Sequence, residues 1–173
     1  MGGTENQTDG SQGAPVDAKP DDHRKYLVVV DETPECRVAL RYASKRALKS
    51  GGHVSLLFVL PPGEFQHWAS VEKLMKEEAR EEAEHILTSM AAEVENIAGI
   101  KPELVIREGK VKEELQDLIE SDTEIHVLVL GAATGPEGPG PLVASLGETW
   151  SGIQVAITIV PGSLSNEALD EIA

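Results

Sequence analysis

The sequence predicts an α/β fold in which a five-stranded parallel sheet carries helices on both faces, the doubly wound arrangement. Five short apolar runs are spaced along the chain, and such runs are typical of strands buried on both faces of a parallel sheet. The segments between them have apolar residues at helical spacing. Gly and Pro residues mark most of the boundaries, as turns between strands and helices require.

The predicted elements alternate from the first strand to the last. The strands are expected at 26–30, 54–60, 104–106, 126–130 and 155–160. The helices are expected at about 34–50, 70–98, 111–121 and 142–151. Thr33 should cap the first helix through its hydroxyl group, with Pro34 in the first turn.

Two of the predicted helices have distinctive faces. On the first helix, Arg37, Arg41 and Lys45 recur four residues apart, and we interpret them as a solvated face rather than a binding patch. The long second helix is acidic, and its apolar residues are predicted to form one stripe. These residues are Val71, Leu74, Met75, Ala79, Ala83, Ile86, Leu87, Met90, Ala91 and Val94.

The charge of the chain argues against several classes of partner. Its 173 residues include 30 Asp and Glu against 15 Lys and Arg, a formal net charge of -15. Nucleic acids and anionic membrane surfaces both select clustered basic residues, so neither is an expected partner. No apolar run approaches the roughly 20 residues of a membrane span, and the amino terminus lacks the layout of a secretory signal. A soluble cytoplasmic protein is therefore expected.

Three segments are expected along the chain. Residues 1–22 are rich in Gly, Gln, Asp and Pro, so they are predicted to form a disordered acidic tail. Residues 23–163 should form the α/β domain. Residues 164–173 are predicted to be a short acidic carboxyl-terminal tail.

Short motifs in the predicted elements resemble those of one known family. They are Val28-Val29-Val30-Asp31, Ala39-Leu40, Leu56-Leu57-Phe58-Val59, Glu108-Gly109 and Val127-Leu128-Val129-Leu130-Gly131. In this order and spacing they resemble the universal stress protein family over residues 25–162. The resemblance implies an adenine-nucleotide-hydrolase-like fold, a stress-response role and a homodimer that often forms through the last strand. Part of that family binds ATP through a glycine motif, G-x2-G-x9-G followed by Ser or Thr, and the rest lacks the motif.

The candidate cofactor-binding residues belong to the carboxyl ends of the predicted strands and to the loop after the fourth strand, because ligands bind at this edge of such sheets. They are Asp31, Glu32, Thr33, Val59, Gly131, Thr134, Ala144 and Ser145. The resemblance implies an adenine or ribose contact for Asp31. The alternative is that Asp31 is a carboxylate that stabilises the start of the helix.

The glycine motif is incomplete in this chain. Laid without a gap from Gly131, its other two glycine positions fall on Thr134 and Ala144, and its hydroxyl position falls on Ser145. The two side chains add a Cβ atom where the ATP-binding members have none. We therefore expect no tight ATP binding, and the alternative is that ATP or AMP binds.

A shifted register does not restore the motif. It would use Gly135 and Gly147, but Glu148 would then replace the hydroxyl group with a carboxylate. In either register the loop contains Pro139 and Pro141, which lack N–H donors. No Lys or Arg follows residue 112, so the positive charge that a phosphate needs would have to come from another part of the chain or from a metal ion.

The sequence predicts neither a catalytic residue nor a metal site, since its five histidines have no ligand spacing. For His67, in a connector at 64–68, a packing role is favoured over a pocket role. Cys36 is the single cysteine, which excludes an intramolecular disulfide. It lies where a helix dipole would lower a thiol pKa, although an inert thiol is favoured over a redox role.

The predicted function is that of a non-enzymatic stress-response or regulatory domain, which acts through dimerisation and unidentified protein partners. The alternative is an ATP- or AMP-binding universal stress protein with nucleotide-gated assembly or slow hydrolysis. An enzyme of the related hydrolase-like folds is not favoured, because no basic catalytic residue is expected to line the loop.

Overall fold

The computed structural model describes residues 24–62, 69–146 and 153–173. Its strands are β1 (Lys25–Val29), β2 (His53–Leu60), β3 (Glu103–Glu108), β4 (Ile125–Ala132) and β5 (Ala156–Pro161). Its helices are α1 (Pro34–Ser50), α2 (Ala69–Ala98), α3 (Val111–Ser121), α4 (Pro141–Ala144) and α5 (Asn166–Ile172). The predicted tail at 1–22, the connector at 64–68 and the end of the predicted helix at 142–151 lie outside the described residues.

All five strands are parallel and form one sheet in the order β3-β2-β1-β4-β5. Helices α1, α2 and α5 contribute to the apolar core on one face, and α3 and α4 contribute to the core on the other. Successive strand residues point to opposite faces, so Val28 joins the first core and Leu27 joins the second. The predicted α/β fold, with a five-stranded parallel sheet and helices on both faces, is confirmed.

The start of α1 follows the signals in the sequence. Thr33 is the N-cap, and its Oγ1 accepts a hydrogen bond from the Cys36 N–H at 3.3 Å. Pro34 lies in the first turn, where its missing N–H costs nothing. The helix ends at Gly51, whose φ of 73° is the left-handed conformation that glycine adopts readily. These signals bring the first turn of α1 to the carboxyl edge of the sheet.

The apolar residues of α2 form two stripes rather than the single one predicted. The buried stripe lies in the second half of the helix and contains Ala83, Ile86, Leu87, Met90 and Val94. In the first half, Val71, Leu74 and Met75 are 48%, 55% and 39% exposed. At about 100° of rotation per residue, these three are centred roughly 120° around the helix from the buried stripe. The prediction was wrong because apolar residues on different faces were counted together.

The predicted carboxyl-terminal tail at 164–173 instead contains helix α5, which packs on α1. Leu169 is fully buried in the core. Arg41 donates from Nε (3.1 Å) and Nη2 (2.8 Å) to the two carboxylate oxygens of Asp170. Arg41 first, and then Lys45, hold the pKa of Asp170 below its usual value. Burial of Leu169 and the pairing of Asp170 thus hold this segment against α1, although its composition predicted a tail.

The basic row on α1 is partly exposed to solvent, and each of its residues also pairs with a carboxylate on a neighbouring helix. Arg37 Nη1 lies 2.7 Å from Glu93 Oε2 on α2. Arg41 Nη2 and Lys45 Nζ lie 2.8 and 3.3 Å from Asp170 Oδ2 on α5. Each partly exposed pair contributes little alone. Together they join α1 to two neighbouring helices.

A buried lysine cluster lies at the amino edge of the sheet. Lys25 Nζ is 2.7 Å from Asp122, 3.1 Å from Glu103 and 3.2 Å from Glu124. Burial opposes the positive charge, but the three carboxylates outweigh burial and raise the pKa of Lys25 above its ordinary value. The cluster ties the start of β1 to β3 and to the turn before β4.

Candidate functional site

A cavity of about 600 Å³ lies at the carboxyl ends of the strands. It is formed by residues that end β1, β2 and β4, by the first turns of α1 and α3, and by the loop before α4. The strand order reverses between β1 and β4, and ligands of open parallel sheets bind at such a reversal. The volume is within the range of about 300–1,000 Å³ that is usual for ligand sites.

The walls of the cavity are largely apolar. The strands and the residue after β1 supply Val29, Val30, Phe58, Val59 and Leu130, and α4 supplies Leu142 and Val143. The polar lining residues come from the turn after β1, from the first turn of α1 and from the start of α3. This arrangement suits a ligand with one planar or apolar part and one polar part.

The turn after β1 holds a carboxylate in a fixed position. Asp31 Oδ1 accepts hydrogen bonds from the Thr33 N–H (2.9 Å) and from Thr33 Oγ1 (2.5 Å). This is the local pattern by which Asp side chains stabilise turns. Asp31 Oδ2 has no hydrogen bond to another described residue, and Asp31 is exposed. One oxygen therefore supports the turn, and the other is available to a ligand.

The structure brings together five of the eight residues selected from the sequence. The five that line the cavity are Asp31, Glu32, Thr33, Val59 and Gly131. The other three, which do not line it, are Thr134, Ala144 and Ser145. These three are the positions on which the second and third glycines and the hydroxyl group of the glycine motif fall. In the shifted register, Gly147 and Glu148 lie outside the described residues.

The loop between β4 and α4, together with α4, uses backbone N–H groups internally. The N–H groups of Ala133, Gly138 and Ala144 donate to the carbonyls of Pro139 (3.3 Å), Gly135 (3.3 Å) and Gly140 (2.9 Å). The Ser145 N–H is shared between the carbonyls of Pro141 (3.2 Å) and Leu142 (3.3 Å). The Ser145 hydroxyl donates to the carbonyl of Leu142 at 2.8 Å, and Ser145 is buried. The N–H groups at the two aligned positions Ala144 and Ser145, and the Ser145 hydroxyl, are therefore engaged within the protein.

Gly131 has a packing role that does not involve a ligand. A Cβ atom at this position would lie 2.5 Å from the carbonyl carbon of Glu35 and 3.1 Å from the Cys36 nitrogen. Both atoms belong to the backbone in the first turn of α1. Only glycine lets this turn approach β4 so closely.

Two lysines of the cavity were not selected from the sequence. Lys110 and Lys112 line it from the start of α3, and Lys110 Nζ lies 3.0 Å from Glu113. Lys112 has no ion pair with another described residue. Four carboxylates line the same cavity, those of Asp31, Glu32, Glu35 and Glu113. The position of the lysines directly after the third predicted strand was the signal that could have found them.

Comparison with protein families identifies the group to which this fold belongs. The model of the universal stress protein family matches residues 23–141. The chain belongs to the universal stress protein family. The membership that the strand and glycine motifs predicted is thereby confirmed. A comparison with curated proteins found no match.

Solved structures of universal stress proteins have the same fold. Universal stress protein UspA from Lactobacillus plantarum is 19% identical with a TM-score of 0.65, covering 80% of this chain and 97% of that one. A universal stress protein in complex with cAMP is 16% identical with a TM-score of 0.58, covering 79% and 96%. A family protein from Arabidopsis thaliana with AMP bound is 15% identical with a TM-score of 0.54, covering 80% and 91%. At these identities the likeness establishes the shared fold.

Cys36 is a buried structural thiol in this member of the family. Its Sγ accepts a hydrogen bond from the Asp31 N–H at 3.5 Å and lies 3.6 Å from the Val29 carbonyl oxygen. Burial raises the pKa of Cys36 to about 11, although the Asp31 N–H opposes this effect. The expectation that the helix dipole would lower this pKa was wrong, because desolvation of the thiolate dominates. The thiol stays protonated at neutral pH and bridges β1 to α1.

The described residues hold no metal site and no membrane-spanning helix. No group of three or more His, Cys, Asp or Glu side chains within the described residues is arranged to hold a metal ion. His67 lies outside these residues. Within the same ranges, no helix combines the length and apolar character needed to cross a bilayer.

Proposed function

We propose that this chain is a non-enzymatic stress-response regulator that acts as a homodimer and through protein partners, without tight binding of ATP. The observation that carries the proposal is the state of the region where the glycine motif falls. The N–H groups of Ala144 and Ser145 and the Ser145 hydroxyl, at the third-glycine and hydroxyl positions of the motif, are engaged internally. In addition, carboxylates outnumber lysines in the cavity lining by four to two.

A triphosphate would meet little positive potential in this site. Phosphate sites in proteins use free N–H groups at a helix N-terminus, which carries a partial positive charge. Here α4 begins with Pro141, which has no N–H group to offer a phosphate. Carboxylates such as Asp31 and Glu32 at the mouth would repel the phosphates. Weak ATP binding is the expected consequence.

The edge strand β5 supports dimerisation. It is an outer strand of the sheet, and its sequence from Ala156 to Pro161 contains no charged residue. Ile157 and Ile159 are 37% and 43% exposed. An apolar edge without charges is prone to pair with another strand. Pairing of β5 with the same strand of a second copy would cover this edge through a twofold interface.

Light scattering on matched variants tests the dimer. Ile159→Lys places a charge on β5, whereas Leu48→Lys places the same charge on α1 at a residue that is 51% exposed. The proposal predicts a dimeric mass for the wild type and for Leu48→Lys, and a monomeric mass for Ile159→Lys. A monomeric wild type would refute dimerisation. A dimeric Ile159→Lys would refute the use of β5.

A second candidate function is binding of an adenine mononucleotide, which would gate assembly. The cavity itself favours it, since apolar walls including Val29 and Val59 suit a base and the free oxygen of Asp31 suits a ribose hydroxyl. Lys110 and Lys112 are the basic side chains of the lining, and they could offset one phosphate more easily than three. Two of the solved relatives carry cAMP and AMP.

Calorimetry with ATP and magnesium, AMP and adenosine separates the two candidates. The variant Lys112→Gln removes a lysine of the cavity, and Lys101→Gln removes an exposed lysine outside it. Mononucleotide binding predicts weaker AMP binding in Lys112→Gln alone, with adenosine unaffected. Equal AMP affinity in both variants would contradict it. Stoichiometric ATP released from the natively purified, denatured protein would overturn the first proposal.

A further inference from the structure

The first half of α2 is largely exposed over residues 71–82. None of residues 71–82 is buried, and the first buried residue is Ala83. The helix has 30 residues and β2 has eight, which correspond to lengths of about 45 and 26 Å. Lys76 contacts Glu108 at the carboxyl end of β3 at 3.1 Å. The helix is thus longer than the sheet it covers.

One face of this exposed half is both apolar and acidic. At about 100° of rotation per residue, five side chains fall within roughly 100° of the helix surface. We call these five the α2 stripe: Val71, Leu74, Met75, Glu78 and Glu82. All five are exposed. An exposed apolar row bordered by charges is a common feature of interaction sites.

The charges of this half of α2 are sorted by face. Its three basic residues lie away from the stripe, and each is already paired with a carboxylate. The pairs are Lys73 with Glu77 (3.9 Å), Lys76 with Glu72 (3.4 Å) and Glu108 (3.1 Å), and Arg80 with Glu84 (3.2 Å). Glu78 and Glu82 have no ion pair with another described residue. The stripe therefore presents negative charge that nothing on the described surface balances.

We propose that the α2 stripe is a docking surface for a basic amphipathic helix of a partner protein. The inference rests on the proposed function, because it names a surface for the protein partners that the regulator needs. Apolar residues of the partner would cover Leu74 and Met75, and its Lys or Arg residues would pair with Glu78 and Glu82. A second copy of α2 fits less well, because its own stripe would bring only carboxylates.

A synthetic helical peptide provides the probe. It has about 18 residues, with Leu at positions i, i+3, i+4 and i+7 and Lys elsewhere, and it carries a fluorophore for anisotropy. Two control peptides are a scrambled sequence of the same composition and a version with Glu in place of Lys. The protein variants are Leu74→Ser with Met75→Gln in the stripe, and Lys73→Gln with Glu77→Gln on the opposite face as the matched control.

The proposal predicts saturable binding of the Leu/Lys peptide to the wild type and to the opposite-face control. The stripe variant should bind at least roughly tenfold more weakly, because two apolar contacts are lost. Hydrogen exchange should slow within residues 71–82 when the peptide binds. Equal binding of the scrambled peptide, or unchanged binding by the stripe variant, would overturn the proposal, and so would absence of binding.

The test separates this inference from the proposed function. The replaced side chains are exposed and lie outside β5, so the dimeric mass should be the same in the stripe variant and the wild type. Association of the wild type beyond the dimer, lost in the stripe variant, would make a second copy the occupant and refute the basic partner. A monomeric wild type would refute dimerisation and leave the peptide result intact.

Discussion

Replacement of Gly131 by alanine puts one methyl group into the closest approach between α1 and β4. Its Cβ atom would lie 2.5 Å from the Glu35 carbonyl carbon and 3.1 Å from the Cys36 nitrogen. Because these are backbone atoms, no flexible side chain can move aside, and the first turn of α1 must shift. Overpacking of this kind costs about 1–3 kcal/mol, and we expect the upper part of that range, about 2–3 kcal/mol.

Urea unfolding followed by circular dichroism measures the loss. A decrease of this size should also lower the melting temperature by roughly 4–12 °C. Gly135→Ala is the matched control, because a Cβ atom there meets nothing within 4 Å. Its stability should stay the same or rise by up to about 1 kcal/mol. If Gly131→Ala is as stable as Gly135→Ala, the packing role of Gly131 is refuted.

This prediction changes how nucleotide binding should be tested. Gly131 is the first position of the glycine motif, so a variant there would be the obvious choice for removing a phosphate contact. Its loss of binding would report the displaced first turn of α1 as much as any contact with a ligand. Lys112 avoids this problem, because it lines the cavity without an ion pair to a described residue.

Three further substitutions test the packing and the charge clusters. Ser55 is 1% exposed, and its hydroxyl has no hydrogen-bond partner among the described residues. Ser55→Ala should therefore leave the free energy of urea unfolding unchanged or raise it by about 1 kcal/mol. A decrease in this free energy would show that the Ser55 hydroxyl does have a hydrogen-bond partner. Lys25→Met leaves three carboxylates around an uncharged side chain, so the same measurement should show a loss of about 1–3 kcal/mol, and an unchanged value would contradict the cluster. Asp170→Asn removes the bidentate pair with Arg41, so hydrogen exchange in α5 should be faster at neutral pH. The wild type should show the same change only as the pH falls below the ordinary Asp pKa of about 3.8 and through the lowered value, because deprotonated Asp170 makes the pair. If α5 exchanges at the same rate in Asp170→Asn and in the wild type at neutral pH, the stabilising role of the pair with Arg41 is refuted.

Local patterns were sufficient to predict most of the fold. The apolar runs predicted all five strands to within three residues at each end, and the predicted α3 has the observed bounds. Thr33 and Pro34 predicted the start of α1 because capping depends on neighbours in the sequence. The rule that ligands of parallel sheets bind at the carboxyl ends of the strands predicted the edge at which the cavity lies.

Features that depend on contacts between distant residues were harder to predict. The approach of Glu35 to Gly131 joins elements that are far apart in the chain, so Gly131 resembled part of a ligand motif. Arg41 and Asp170 are also far apart in the sequence, and their pairing helps to hold α5 where the sequence predicted a tail. The pKa of Cys36 depends on burial, which the position at a helix start does not reveal.

Native mass spectrometry of the purified protein tests the central proposal most directly, because one spectrum reports both the assembly and any bound nucleotide. The account predicts a species with twice the 18.5 kDa mass of the chain and no ATP attached. A monomer, or a species with one ATP on every chain, would contradict it.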